Sequence, residues 1–298
     1  MKRRLIATIK LILALLILTI WMTVLFSWGA SRVQLGDAAG QLSPQEAAQS
    51  GLALLVVCLV DTLLFAAFIR RSWLHGWRLM LVTAILYYGV KTFQANIEAW
   101  YFMTNLTAAM IPGLFQMTLP AALLWPPAAV WLLGKARRPA QPPSAADRPL
   151  PPQTVRTWTW KLALAGFVFY PLLFFTFGYF VAWQDPAVRA FYGGGELIGF
   201  FPHMAGMLTS DPKVLLFEML RGLLWASLAG LFLWASAGKR WAAALLLALI
   251  FALVENNVHL MPNPLMPAAV RQAHFIETAS SNFIYALLTA WLLTWQKT

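Results

Sequence analysis

Eight apolar stretches, each near the length that crosses a bilayer as a helix, decide the solvent in which this chain can fold. A spanning helix needs about 20 mostly apolar residues. Residues 5–28, 51–69, 79–103, 106–133, 162–183, 214–237, 241–260 and 282–295 meet or approach that requirement. The last stretch is short. No helix breaker stands between Pro267 and Trp295, so the eighth helix is expected to begin about two or three turns outside the membrane. With 60% apolar and 11% charged residues, an ordinary soluble domain is excluded. The fold class expected is all-α: a polytopic transmembrane bundle of about eight helices, with the lipid bilayer as its main partner.

The net charge of +11 invites a nucleic-acid reading, which the placement of the basic residues removes. They sit in short clusters between apolar runs, as topology signals do. With the N-terminus in the cytoplasm, 15 of the 22 Lys and Arg residues are cytoplasmic, among them Arg70, Arg71, Lys135, Lys239 and Arg240. Only Arg32, Arg189, Lys213 and Arg271 then lie outside. This bias places both termini in the cytoplasm of a bacterial-type inner membrane. The apolar run after Lys2-Arg3-Arg4 is too long for a secretory h-region, so it is expected to stay as a first helix. Cys58 stands alone in an apolar run, which excludes an intrachain disulfide and makes it filler. Many of the 15 Trp residues, such as Trp28, Trp77, Trp183 and Trp295, fall near span ends, where an interfacial belt accounts for them.

Gly134 to Arg156 is rich in Pro, Ala and charge, and reads as an extended cytoplasmic linker. It divides the chain into a first four-helix half (1–133), a linker region (134–160) and a second half (161–298). Both halves share a rhythm of long outer loop, tight basic turn and second outer loop. Their second helices start with a capping residue followed by proline, Ser43-Pro44 and Asp211-Pro212. The halves therefore read as parallel four-helix repeats about an axis along the membrane normal.

Charged groups inside a span cost a few kcal/mol on insertion scales, so each needs a partner or a role. Lys10 can snorkel. Asp61 and Lys91 lie about half-way along adjacent runs joined by a tight turn, and can meet at the midplane. Lys91, Gln94 and Glu98 share one helix face, and Glu218 and Arg221, three apart, form an intrahelical pair. The densest constellation lies in the second half. Glu255 and His259, with Asn256 between them, end the seventh run, and Arg271, His274, Glu277, Thr278 and Ser281 fall on one stripe of the eighth helix. A loop with Pro262, Pro264 and Pro267 joins the two faces and holds them near each other.

Glu255, His259, His274 and Glu277, with His203 from an outer loop, have the chemistry to ligate a divalent metal. The bland reading is a mutually hydrogen-bonded polar cluster that closes the outer end. The spacing matches no established ligand signature. The segment Asp185 to Glu196 reads as a capped interfacial helix stopped by glycines, and its Gly-Gly-Gly run is no phosphate loop. No Ser-His-Asp order or nucleotide loop occurs, and the paired glutamates of intramembrane CAAX-type proteases are missing.

Three functions follow from these residues. The first is a protein that binds or transports a small-molecule or lipid-related ligand, using Asp61, Lys91, Glu98, Glu218, Arg221, Glu255, Asn256 and Arg271. The second is a membrane enzyme, with or without a metal, acting through the His/Glu cluster. The third is an accessory or assembly protein without chemistry. Charges at several depths favour the first, since a path needs groups along its length and a surface site does not.

Overall fold

Each long helix starts or stops where its sequence provides a local reason. The computed structural model describes residues 2–33, 42–137, 148–150 and 154–295, and every structural statement below concerns these. Part of the expected linker, residues 138–147 and 151–153, lies outside them, as does Lys297. α1 (Lys2–Ala30) is followed by α2 (Pro44–Arg71). At the start of α2 the Ser43 hydroxyl accepts the Glu46 N–H while the Glu46 carboxylate accepts the Ser43 N–H, so two orphan donors are satisfied reciprocally, and Pro44 has no N–H to lose. α3 (Gly76–Tyr88) runs through a π-helical turn, Gly89–Phe93, into α4 (Gln94–Phe102). α5 (Met110–Gln116) and α6 (Leu119–Leu132) complete this group.

The second group opens with α7 (Val155–Leu164), a π turn at Ala165–Phe169, α8 (Tyr170–Phe177) and another π turn at Gly178–Ala182. The short α9 (Pro186–Phe191) is capped by Asp185, as expected, and ends before Gly193, whose φ of +70° lies in the left-handed region. α10 (Phe200–Ser210), α11 (Lys213–Ala235) and α12 (Arg240–Leu249) follow. From α12 the chain passes through a π turn, Ile250–Val254, and a 3-10 turn, Asn256–Leu260. α13 (Ala268–Thr294) is one unbroken helix, as the absence of a breaker after Pro267 requires.

The described residues are helical without a strand, and five helical stretches are long and apolar enough to cross a membrane: Arg4–Ala30, Pro44–Arg71, Val155–Ala182, Lys213–Ala235 and Arg240–Leu260. The other expected stretches differ for identifiable reasons. Lys91, Gln94, Asn96 and Glu98 dilute the hydropathy of α3–α4, and the polar first half of α13 does the same there. Residues 106–133 form two helices instead of the one expected. The chain breaks at Met117–Thr118, ahead of Pro120. At that break the Met117 carbonyl faces Gly29 of α1, where a Cβ would stand 1.7 Å from the oxygen, so only glycine admits this approach.

α1, α2, α3 and α6 pack on one another, and α11 packs on α8 and the Ala165–Phe169 turn while α12 packs on α13. The two groups meet where α2 and α3 face α11 and the Ile250–Val254 turn. Phe68 stacks on Phe232 across this seam, with ring centroids 4.8 Å apart. At the basic end, Ser72 after α2 and Ser236 after α11 form an antiparallel bridge: the Trp73 N–H donates to the Ala235 carbonyl at 3.1 Å and the Ala237 N–H to the Arg71 carbonyl at 2.7 Å. These two turns thus tie the groups together at one end. Toward the opposite end both groups line a cavity.

Candidate functional site

The charges inside the helical bundle pair first within and then across the two groups. Asp61 of α2 and Lys91 of the Gly89–Phe93 turn are fully buried and lie 3.1 Å apart, the contact expected from the tight turn between their helices. Asn257 completes the set: its Nδ2 donates to Asp61 at 2.7 Å, and its Oδ1 accepts from Lys91. Lys91 also donates to the Val254 carbonyl at 3.0 Å, where the chain changes from π to 3-10 geometry. Such departures from regular helix recur at functional positions because they re-aim side chains and backbone carbonyls.

Arg221 and Glu218 form the expected i,i+3 pair at 2.9 Å. Glu98 of α4 joins them by accepting from the other arm of the guanidinium, so one cation serves two carboxylates. Gln94, on the same face as Lys91 and Glu98, donates to the Arg221 carbonyl at 3.3 Å. Tyr170, Phe174 and Phe217 surround the guanidinium, each ring centroid within 5.9 Å of its carbon.

The His/Glu constellation is drawn together in part. His274 Nδ1 lies 3.1 Å from the Glu277 carboxylate, and its Nε2 lies 3.0 Å from the Tyr192 hydroxyl. Burial pushes the Tyr192 hydroxyl well above its ordinary pKa, and the nearby Glu98 and Glu277 charges push it further. His274 is thus held at both ring nitrogens, between the Glu277 carboxylate and the Tyr192 hydroxyl. The His259 ring lies alongside His274 with centroids 6.1 Å apart. Glu255 accepts from Asn282, and Asn256 accepts from Thr278. Arg271 spends its donors on the His259 carbonyl at 3.3 Å and the Met266 carbonyl at 2.8 Å, so it braces the proline-rich loop.

His203 stands apart, packed between the rings of Tyr179 and Trp183 at 5.4 and 4.9 Å, and its burial lowers its pKa. Among the described residues no three His, Cys, Asp or Glu side chains converge as a metal would require. The five-residue set of His203, Glu255, His259, His274 and Glu277 is therefore not assembled into one ligand sphere: His203 packs among rings apart from the others, Glu255 accepts from Asn282, and His274 and Glu277 pair with each other beside the His259 ring.

A cavity of about 480 Å³ ties these networks together. It lies at the end opposite the Ser72–Ser236 bridge, since Ala30 at the end of α1, Ser50 near the start of α2 and Met103 after α4 line it. Its polar wall holds Lys91, Glu98, Glu255, Asn256, His259 and His274, and its apolar wall includes Phe102, Met103, Met117, Met261 and Met266. Of the residues expected to bind a ligand, Asp61 stands behind Lys91, and Glu218 and Arg221 stand behind Glu98, one shell removed from the space. A second void of about 10 Å³, at the lower limit for one water, lies among Glu98, Glu277, Ser281 and Asn282.

Sequence reasoning did not single out Tyr192, Asn257 or Asn282. Tyr192 falls in the segment Asp185 to Glu196, which reads as a capped interfacial helix, and the amides carry no charge to signal their position. The run Glu255-Asn256-Asn257 was the available signal, because two amides beside a carboxylate in an apolar helix need polar partners inside the protein. No protein-family model, curated protein or solved structure matches the chain.

Proposed function

We propose that the chain is a multi-pass inner-membrane protein of about eight spans, with both termini cytoplasmic and two four-helix halves that enclose an outward-facing chamber for a small-molecule or lipid-related ligand. The reading takes α3–α4, α5–α6 and α13 as further spans. Their polar residues point into a protein interior, where such residues are tolerated. The distribution of basic residues supports the orientation. The two-fold pattern of hydrogen bonds around Ser72 and Ser236 supports duplicated halves, because the bridged residues end equivalent helices.

One observation carries the functional reading: the chamber of about 480 Å³ combines an apolar wall with a few convergent polar groups. That size and that division match small-ligand sites, in which apolar contact supplies affinity and a few polar groups fix orientation. Ligand binding, or transport through a path that includes this chamber, uses the charges at several depths. An accessory role would leave them without a task.

The test fills the space. Ala99 lines the chamber, and Ala99→Trp would occupy it. Wild-type protein purified in mild detergent is expected to retain a molecule that organic extraction and mass spectrometry detect, and Ala99→Trp is expected to lose it. The same species at the same occupancy in both proteins would overturn the reading.

The enzyme reading has its own support in Tyr192, His274 and Glu277. A carboxylate orients an imidazole whose other nitrogen meets a hydroxyl, the arrangement a general base needs, and His274 and Tyr192 line the chamber. A retained molecule that is turned over by wild type but not by His274→Gln would favour this second reading.

A further inference from the structure

The buried charges around the chamber do not balance. Among the described residues, Asp61, Glu98, Glu218, Glu255 and Glu277 carry five carboxylates into this part of the protein, against two permanent cations, Lys91 and Arg221. Asp61 takes Lys91, and Glu98 and Glu218 share Arg221. Glu277 has His274. Glu255 is 4% exposed, and its partners are the side-chain amides of Asn282 and Asn256, with no ion pair to a basic residue. Arg271 at the rim donates to two backbone carbonyls and neutralises none of these acids at contact distance. A buried carboxylate without a cation is costly, and neutral amides offset only part of that cost.

The chamber offers a place for the missing positive charge. Glu98 and Glu255 both line it, so carboxylates short of positive charge face a space large enough to admit a counter-charge. A bare divalent metal does not suit that space, because no three acidic or imidazole groups converge there among the described residues. The opposite wall, with Phe102, Met103, Met261 and Met266, offers an aromatic ring and polarisable thioethers, surfaces that favour an organic cation over a hydrated ion. Lys91 also borders the chamber, but its ammonium group is held by Asp61, Asn257 and the Val254 carbonyl.

We propose that the chamber binds an amphipathic organic cation, with its charged centre at Glu255 and Glu98 and its apolar body against the methionine and phenylalanine wall. The proposal rests on the reading of the chamber as a ligand site and names the charge class of the ligand.

A matched pair of ions tests it: tetraphenylphosphonium, a lipophilic cation, and tetraphenylborate, an anion of similar size and shape. Each is titrated by equilibrium dialysis into the full-length protein in a neutral detergent, with protein-free micelles as the blank. The expected result is saturable binding of the phosphonium alone, weakened about tenfold or more in Glu255→Gln, which keeps an acceptor for Asn282 but removes the charge. Ala99→Trp should abolish it. Should Glu255→Gln fail to fold, Glu98→Gln, which leaves the Glu218–Arg221 pair in place, carries the same expectation. Wild-type affinity in the Gln variant, equal binding of the borate, or no saturable phosphonium binding overturns the cation assignment. The failure of the chamber reading looks different: there, no retained molecule of any charge distinguishes wild type from Ala99→Trp.

Discussion

Lys91 shows why the polar residues of this chain act as networks. Its ammonium group is fully buried and makes contacts with Asp61 of α2 and, from the turn after α12, with Asn257 and the Val254 carbonyl. Removing one member of a buried pair strands the other's charge, whereas removing both can be nearly neutral. Lys91→Met is therefore expected to lower stability by about 3–5 kcal/mol, and the double change Asp61→Leu with Lys91→Met to recover most of that loss. Reversible unfolding in mixed detergent and denaturant measures both. A single variant as stable as wild type would show that the pair carries no buried charge. Asp61 with Lys91 and Glu218 with Arg221 were legible in the sequence because short turns or helical spacing fix those distances. The link from Glu98 to Arg221 was not, because it joins helices 123 residues apart and depends on how the two groups dock.

Among the elements, close backbone approach decides where helices cross. A Cβ on Gly222 would lie 2.3 Å from the Gly166 carbonyl oxygen, and one on Gly166 would lie 2.6 Å from Leu223 Cα. α11 thus crosses the Ala165–Phe169 turn through facing glycines, one residue from Arg221, and this fixes the guanidinium against Tyr170. Gly222→Val is expected to cost about 1–3 kcal/mol from overpacking, seen as a lower melting temperature in detergent. An unchanged melting temperature would mean that the helices do not cross here. The long apolar helices were readable from length and composition, and α2 and α9 also from their Ser43 and Asp185 caps. The break between α5 and α6 was hidden by an apolar run without charges, although Pro112, Gly113 and Pro120 were present as breakers. The π turns have no comparable signature, since they answer to tertiary contacts such as Lys91 with Val254.

For the whole molecule, two groups of helices are tied at the basic end by the Ser72–Ser236 bridge and line the chamber together toward the other, where Tyr101 stacks on Phe217 and donates to Asp211. The proline-rich loop after His259, braced by Arg271, and Tyr192 after α9 close over that end. The sequence located the polar cluster in the second half but not the chamber, because a cavity is a property of how surfaces fail to meet. Lys91 and Glu98 of its polar wall come from the first group and Glu255, Asn256, His259 and His274 from the second, so the site belongs to both. The most direct test of the account is a structure of the full-length protein in lipid nanodiscs, purified without added ligand. The account predicts an open chamber of comparable size between Glu255 and Met103, occupied by density that neither chain nor ordered water explains. A chamber closed by repacked side chains, with Glu255 paired to a basic residue of the protein, would contradict it.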